Sequence, residues 1–245
     1  MRPSSASALV LAAALLASGV AAGGWLVGAG FRDVRLGDRT VSVKGLAERE
    51  VRADLAIWPL RFVATGNDLE QVRTAIGTAE AAVRAFIGEA GLQQASLEVA
   101  GLEVTDAQAQ LYRSGPAETR FVIAELLVLR SPDVDGVAAL AQRVGALIAK
   151  GVVLSSEGAP SSGPVYLFTG LNQAKPDMVA EATRNARASA EQFAADSGSH
   201  LGGIRRASQG VFQILARDEA PGISEQSQIA KRLRVVSTVE YFLGD

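Results

Sequence analysis

An uncharged, largely apolar run near the amino terminus constrains this chain more than any other feature. The run extends from Ala8 to Phe31, and the sequence after it has the alternating and helical patterns of a folded domain. Because a helix rises about 1.5 Å per residue, such a run is long enough to cross a hydrocarbon core of about 30 Å. The sequence therefore predicts that residues 1–31 are a retained membrane anchor and that residues 32–245 form the body.

A secretory signal peptide is the alternative interpretation of the same segment. Its charged start would be Arg2, and Val20-Ala21-Ala22 would supply a small-residue cleavage site. The apolar core of such a signal is usually only about 7 to 15 residues, which favours the anchor. The body leaves the cytosol under either interpretation, and cleavage would make it a soluble periplasmic protein.

The basic residues around the run do not decide its orientation. Only Arg2 precedes the run, whereas Arg32, Arg35 and Arg39 follow it closely. The positive-inside rule alone would keep the body in the cytoplasm, but long downstream domains translocate largely regardless of charge. The orientation therefore needs support from elsewhere in the sequence.

Glycines spaced by four residues lie within the run. Gly19 and Gly23, and likewise Gly24 and Gly28, place small residues about one helical turn apart. This spacing lets two membrane helices approach closely, so it predicts a pairing seam. Glycine is also generally frequent in membrane helices, and that alternative stays open.

The body is mildly acidic, which argues against a nucleic-acid-binding protein. It contains 23 of the 24 basic residues and all 26 acidic residues, a net charge of −3 with the histidine neutral. Its short basic clusters, Arg205-Arg206 and Lys231-Arg232-x-Arg234, are too small to neutralise a phosphate backbone. The chain has no cysteine, so it has no disulfide, thiolate zinc site or thiol nucleophile.

Changes of hydrophobic period along the body predict an α+β fold. Helical periodicity covers residues 69–91, 132–151 and 177–195. Strand-like segments are residues 40–45, 55–65, 95–105, 121–130, 152–154, 164–169, 204–215 and 233–242. Because strand pairs and helices are interspersed without strict alternation, we expect mixed or antiparallel sheets of about seven strands with three main helices packed against them. Pro59 indicates that its strand lies at an edge or contains a bulge, because proline cannot donate to a ladder.

Two stretches in the first half of the body have a recognisable form. Val41-Ser-Val-Lys-Gly45 is an entry strand, and Ala53-Asp54 follows it just before a second strand. Farther on, the passage from Gly91-Leu92 to Leu97 leads from a helix into a strand that contains Leu102 and Val104.

A third stretch, in the third predicted helix, completes the pattern. Alanine recurs every four residues as Ala182-x-x-x-Ala186-x-x-x-Ala190-x-x-x-Ala194, and Gly198-x-x-Leu201-Gly202 follows. With these three stretches, residues 40–243 resemble the SIMPL family of bacterial envelope proteins. Residues four apart lie on one helix face, where alanine allows another backbone to approach closely. The alanines therefore predict a structural packing stripe, with a partner-binding groove as the alternative.

The resemblance implies an exported protein with a periplasmic or envelope role, often linked to oxidative-stress defence without an established chemical reaction. It favours a cytoplasmic amino terminus and a single-pass inner-membrane anchor with the body in the periplasm. The chain also departs from the family pattern. It has Arg120 and Phe121 where members often have glycine and tyrosine, and the polar segment 106–120, expected to be a loop, matches poorly. The resemblance therefore supports the fold better than it supports an activity.

Catalytic, cofactor-binding and metal-binding residues are not predicted. His200 is the sole histidine, and one histidine without cysteine offers little for a metal site or a catalytic triad. Carboxylates are scattered, and the acidic pair at Asp133 and Asp135 suits the start of a helix without a further role. No nucleophile elbow or P-loop occurs.

The leading hypothesis is a non-enzymatic, membrane-anchored protein whose body acts as an assembly or interaction module in the cell envelope. The expected partners are the inner membrane, further copies of the chain in a homo-oligomer and an envelope protein, with no nucleic acid and no cofactor. One alternative is a periplasmic ligand-binding module with a pocket between the third helix and the loops at 106–120 and 216–230. A carboxylate-dependent hydrolase is less favoured, because it needs a close acidic pair in a cleft.

Overall fold

The computed structural model of the chain describes residues 13–26, 39–109, 119–157 and 163–244. Within these ranges the fold is α+β, as the sequence predicts, with five helices and nine strands rather than about seven. The strands are β1 (Thr40–Arg52), β2 (Leu55–Gly66), β3 (Ser96–Asp106), β4 (Phe121–Ser131), β5 (Val153–Leu154), β6 (Val165–Leu167), β7 (His200–Gln209), β8 (Gln213–Ala216) and β9 (Ala230–Gly244). The helices are α1 (residues 13–26), α2 (Leu69–Gly88), α3 (Val134–Gln142), α4 (Gly145–Ala149) and α5 (Leu171–Asp196).

The strands form two antiparallel sheets. One has the order β1–β9–β7, with β8 also paired to β9, and the other has the order β3–β4–β2–β5, with β6 also paired to β2. The described chain divides into two units. The first unit is built from the chain up to Ala47, Asp177–Phe212 and the chain from Val235 onward, and the second from Glu48–Pro176 and Gln213–Arg234.

The second unit contains the larger hydrophobic core. Alternation along β2 directs Trp58, Leu60 and Phe62 to one face of the five-stranded sheet, where all three are buried. Helix α2 packs on this face over β2 and β4. Its buried side chains recur at helical spacing and are Val72, Ile76, Val83, Phe86 and Ile87.

Pro59 lies in a strand that has neighbours on both sides and an unbroken register against β4, so the prediction of an edge strand or a bulge is wrong. On one side Pro59 is opposite Val128 of β4. On the other side β6 pairs with Leu55–Ile57 and β5 pairs with Phe62–Val63. Within the described residues Pro59 therefore falls in the gap between two short partner strands. No ladder hydrogen bond is needed there, so the proline, which lacks an N–H, is tolerated.

The first unit has a smaller core between α5 and its sheet. The buried members are Val41 of β1, Val239 and Tyr241 of β9, and Ala186 and Ala190 of α5. Because two of the five are alanines, helix and sheet approach closely here. Gly198 ends α5 with a positive φ of 65°, a conformation that glycine adopts without strain.

Several predicted elements differ from the structure, and the strand predicted at 40–45 extends to Arg52 as β1. The helix predicted at 132–151 is two helices, α3 and α4, and the strand predicted at 204–215 is two strands, β7 and β8. Helix α5 begins at Leu171, six residues before the predicted start, and contains Pro176. The backbone N–H groups ahead of α5 are bound by the side chain of Asp54. Because Asp54 is distant in sequence, a local pattern does not reveal this start.

The membrane-pairing glycines fall partly within the described residues. Gly19, Gly23 and Gly24 are in α1, and Gly28 lies outside the described ranges. None of the helices that the structure describes is both long enough and apolar enough to span a membrane. The anchor at residues 1–31 and the glycine seam stay predictions.

Candidate functional site

The alanines of α5 form a buried stripe that faces β1. Ala182, Ala186 and Ala190 are fully buried, and Ala194 is 3% exposed. A Cβ added to Gly45 of β1 would overlap the carbonyl oxygen of Ala182 and the amide nitrogen of Ala186. The glycine of the entry strand and the alanines of the helix are thus two sides of one close backbone contact.

A polar contact accompanies this packing. The side-chain amide of Asn185 donates a 2.8 Å hydrogen bond to the carbonyl oxygen of Leu46, one residue after Gly45. Two close-packed backbones and a satisfied carbonyl account for the stripe without a ligand.

Asp54 binds the backbone immediately before α5. Its carboxylate accepts hydrogen bonds of 2.8 and 3.1 Å from the N–H of Thr169 and one of 3.1 Å from the N–H of Gly170. Helix starts have unpaired donors and a partial positive charge, so a carboxylate is favourable there. Asp54, which belongs to the resemblance pattern, therefore has a structural role.

The structure places each polar residue that was weighed in the sequence as a candidate for chemistry. His200 is exposed at the first position of β7. Asp133 accepts a 2.8 Å hydrogen bond from the N–H of Gly136 and caps α3, while Asp135 pairs with Arg52 at 2.8 Å. The described residues contain no cluster of three histidine or acidic side chains that could hold a metal ion.

Glu125 is the buried acidic residue that sequence reasoning missed. It lies on β4 between Ile123 and Leu127, on the face that packs against α2, and is only 5% exposed. Burial raises the pKa of this carboxyl, the charge of Glu80 raises it further, and the charge of Arg84 opposes the shift. The sequence does contain a signal for this burial, because Glu125 stands at an inward position of a strand that is otherwise apolar.

Glu125 meets one requirement of a carboxylate hydrolase, namely a pKa raised by burial and by a neighbouring acid, Glu80. Glu125 and Glu80 do not meet the requirement for access, because the Glu125 side chain is packed beneath α2. Glu80 is also engaged, since it forms a 2.7 Å ion pair with Arg84. The pair is therefore better described as a buried charge that costs stability than as a reaction centre.

A second buried charge, Lys231 of β9, is paired with an acidic residue. Its ammonium group is completely buried and donates a 2.7 Å hydrogen bond to the backbone oxygen of Glu225 and another to the Glu225 carboxylate. Glu225 begins a short 3-10 turn, Glu225–Ser227, in the segment 216–230 that the sequence predicts to be a loop. The ion pair therefore fixes part of this segment to the end of the sheet.

The exposed surface of β3 is one feature of the second unit that packing among the described residues does not explain. Val99, Leu102 and Val104 are 51%, 62% and 54% exposed. They are opposite Leu127, Glu125 and Ile123 of β4, so they lie on the same face of the sheet that α2 covers at β2 and β4. Among the described strands, β3 is also the terminal one of its sheet. We call the side of β3 away from β4, together with these three side chains, the β3 edge.

The first unit has a comparable feature in β7, the terminal strand of the other sheet. Ile204 is 55% exposed and opposite Tyr241, and Ala207 is exposed and opposite Val239. These two side chains share the face of the core residues. We call the side of β7 away from β9, together with Ile204 and Ala207, the β7 edge.

A comparison with protein-family models bears on these features. The SIMPL model, described as a protein of unknown function (DUF541), matches residues 41–239. The chain belongs to the SIMPL family. No curated protein matches the chain significantly. The SIMPL match contains Gly45, Asp54 and the alanine stripe, and it spans both edges.

Proposed function

We propose that this SIMPL protein is a non-enzymatic assembly or interaction module of the bacterial cell envelope. Residues 1–31 anchor it in the inner membrane and residues 32–245 act in the periplasm, in envelope maintenance that includes oxidative-stress defence. The length of the apolar run supports the anchor, and the family resemblance supports export.

The exposed β3 edge is the observation on which the interaction role depends. A terminal strand offers unpaired backbone N–H and C=O groups to a further strand, and soluble proteins usually protect such an edge with charges or a covering segment. On the α2 side, β3 instead presents three apolar side chains that are more than half exposed. Contiguous exposed apolar side chains mark interaction sites. An added strand would pair with this backbone and cover these side chains.

Site-specific photocrosslinking in native membranes tests the proposal. A photoreactive amino acid replaces Leu102 on the β3 edge, and the matched control replaces Ala81, an exposed position on α2. We expect protein adducts from position 102 and none from position 81, identified by mass spectrometry. Absence of adducts from position 102 in membranes from stressed and unstressed cells would overturn the interaction role.

A protease-protection assay on spheroplasts tests the topology separately. External protease should digest the body while the cells remain intact. Full protection of the body would contradict a periplasmic location, and a mature chain beginning near Gly23 that is soluble without detergent would contradict the anchor.

A further inference from the structure

The two exposed edges have matching faces. On β3, Val99, Leu102 and Val104 lie on the helix-covered face, and on β7, Ile204 and Ala207 do the same. If the two strands were neighbours in one sheet, these apolar side chains would be adjacent on a single face. Cross-strand apolar pairs of this kind are a main source of stability in sheets.

On the other face of each strand, away from the covering helix, β3 carries acidic side chains and β7 carries basic ones. β3 presents Glu98 and Glu103 there, opposite Val128 and Ala124 of β4. β7 presents Arg206, opposite Glu240 of β9, and a register shift beside it adds Arg205. Glu98, Glu103 and Arg206 are all exposed. A β3 edge beside a β7 edge would therefore place acids next to bases.

These charges favour pairing of a β3 edge with a β7 edge over pairing of two β3 edges or of two β7 edges. Two β3 edges side by side would bring Glu98 and Glu103 of both copies onto one face, and two β7 edges would do the same with their arginines. Like charges on neighbouring strands are destabilising, whereas opposite charges stabilise.

We propose that copies of this chain associate head to tail, with the β3 edge of one copy adding to the β7 edge of the next. This inference rests on the proposed function and names its partner as a second copy of the same chain. Because the two surfaces differ, a pair of copies keeps one free edge of each kind, a β7 edge on one copy and a β3 edge on the other. In an open arrangement these free edges bind further copies, and the contact propagates to assemblies larger than a dimer.

Sedimentation equilibrium of the full-length protein in density-matched detergent tests the proposal. The wild-type chain should form species larger than dimers as concentration rises. Val104→Lys places a charge on the inner face of β3, and Ile204→Lys does so on β7, which is a common natural protection of sheet edges. Each variant alone should lose this association, because only one kind of edge remains and the head-to-tail contact needs both.

Mixing the two lysine variants gives the sharpest outcome. The intact β7 edge of the Val104→Lys chain should bind the intact β3 edge of the Ile204→Lys chain, which yields one-to-one heterodimers and nothing larger. A misfolded variant could not form this heterodimer, so its appearance separates blocked edges from lost folding. Larger assemblies in the mixture, or two variants that assemble like the wild type, would overturn the proposal.

A charge exchange tests the polar face. Glu98→Lys and Arg206→Glu should each weaken self-association about tenfold, and the double variant should recover it. Glu98 and Arg206 are chosen because Glu103 already pairs with Arg61 and Arg205 with Glu240. Failure of the double variant to recover would contradict the pairing.

A wild-type chain that stays monomeric at all concentrations would refute head-to-tail assembly. Position-102 adducts to a different envelope protein would then leave the proposed function standing with another partner. Absence of both self-association and adducts would refute the two proposals together.

Discussion

Replacing Gly45 by alanine is expected to be the most damaging single-methyl change in the first unit. The added Cβ would be 2.9 Å from the carbonyl carbon of Ala182 and nearer still to two other backbone atoms of α5. Cβ atoms essentially never come within 3.0 Å of a heavy atom outside their own and adjacent residues, and backbone cannot rotate away as a flexible side chain can. The strand and the helix must therefore separate.

The expected cost follows from this separation. Overpacking a close-packed contact typically costs about 1 to 3 kcal/mol, and backbone-to-backbone overlap places Gly45→Ala near about 3 kcal/mol. For a chain of this size each kcal/mol lowers the melting temperature by about 2 to 4 °C, so we expect a fall of roughly 6 to 12 °C. Thermal unfolding of the purified full-length protein, followed by circular dichroism, measures it.

Gly77→Ala is the matched control, because Gly77 is an exposed interior residue of α2 with nothing within 4 Å of an added Cβ. Alanine there should stabilise the helix by about 0.5 to 1 kcal/mol. If Gly45→Ala melts within about 2 °C of the parent, a shift of less than about 1 kcal/mol, the close contact between β1 and α5 is wrong.

Three further changes test the buried contacts by thermal unfolding. Ala186→Leu should cost about 1 to 3 kcal/mol by overpacking, and an unchanged melting temperature with a lost partner would instead make the stripe an interface. Glu125→Gln should raise the melting temperature at about pH 8, and this gain should vanish below about pH 4. The raised pKa of Glu125 means that its ionised form, present only at higher pH, destabilises the folded state. A gain that is equal at both pH values would contradict this reasoning. Glu225→Ala should destabilise by about 3 kcal/mol by leaving the Lys231 ammonium buried with only a backbone oxygen, and a neutral result would show that this charge is hydrated.

The elements that could be predicted are those whose signals are local. Helix α2 has an apolar stripe at helical spacing, a capping Asp68 that accepts a 2.9 Å hydrogen bond from the N–H of Gln71, and Gly91 with a positive φ just after its end. Each of these signals is visible within the segment itself, and the structure places the helix at Leu69–Gly88, three residues short of the predicted end.

The features that escaped prediction depend on distant partners. The start of α5 is bound by Asp54, more than a hundred residues earlier in the chain. Similarly, Gly45 is part of a family pattern in the sequence, but its contact with Ala182 depends on how strand and helix meet. The exposure of β3 could not be predicted either, because its alternating sequence is equally compatible with a covered strand.

Hydrogen–deuterium exchange of the full-length protein tests directly whether the body interacts through its exposed sheet edges. Exchange in native membrane vesicles is compared with exchange in dilute detergent solution, where partners dissociate. We expect slower exchange of the Ser96–Asp106 amides in vesicles, because an added strand would bind the free backbone groups of β3. Equal exchange of β3 in both conditions would contradict the claim, and protection confined to α2 would place the interaction elsewhere.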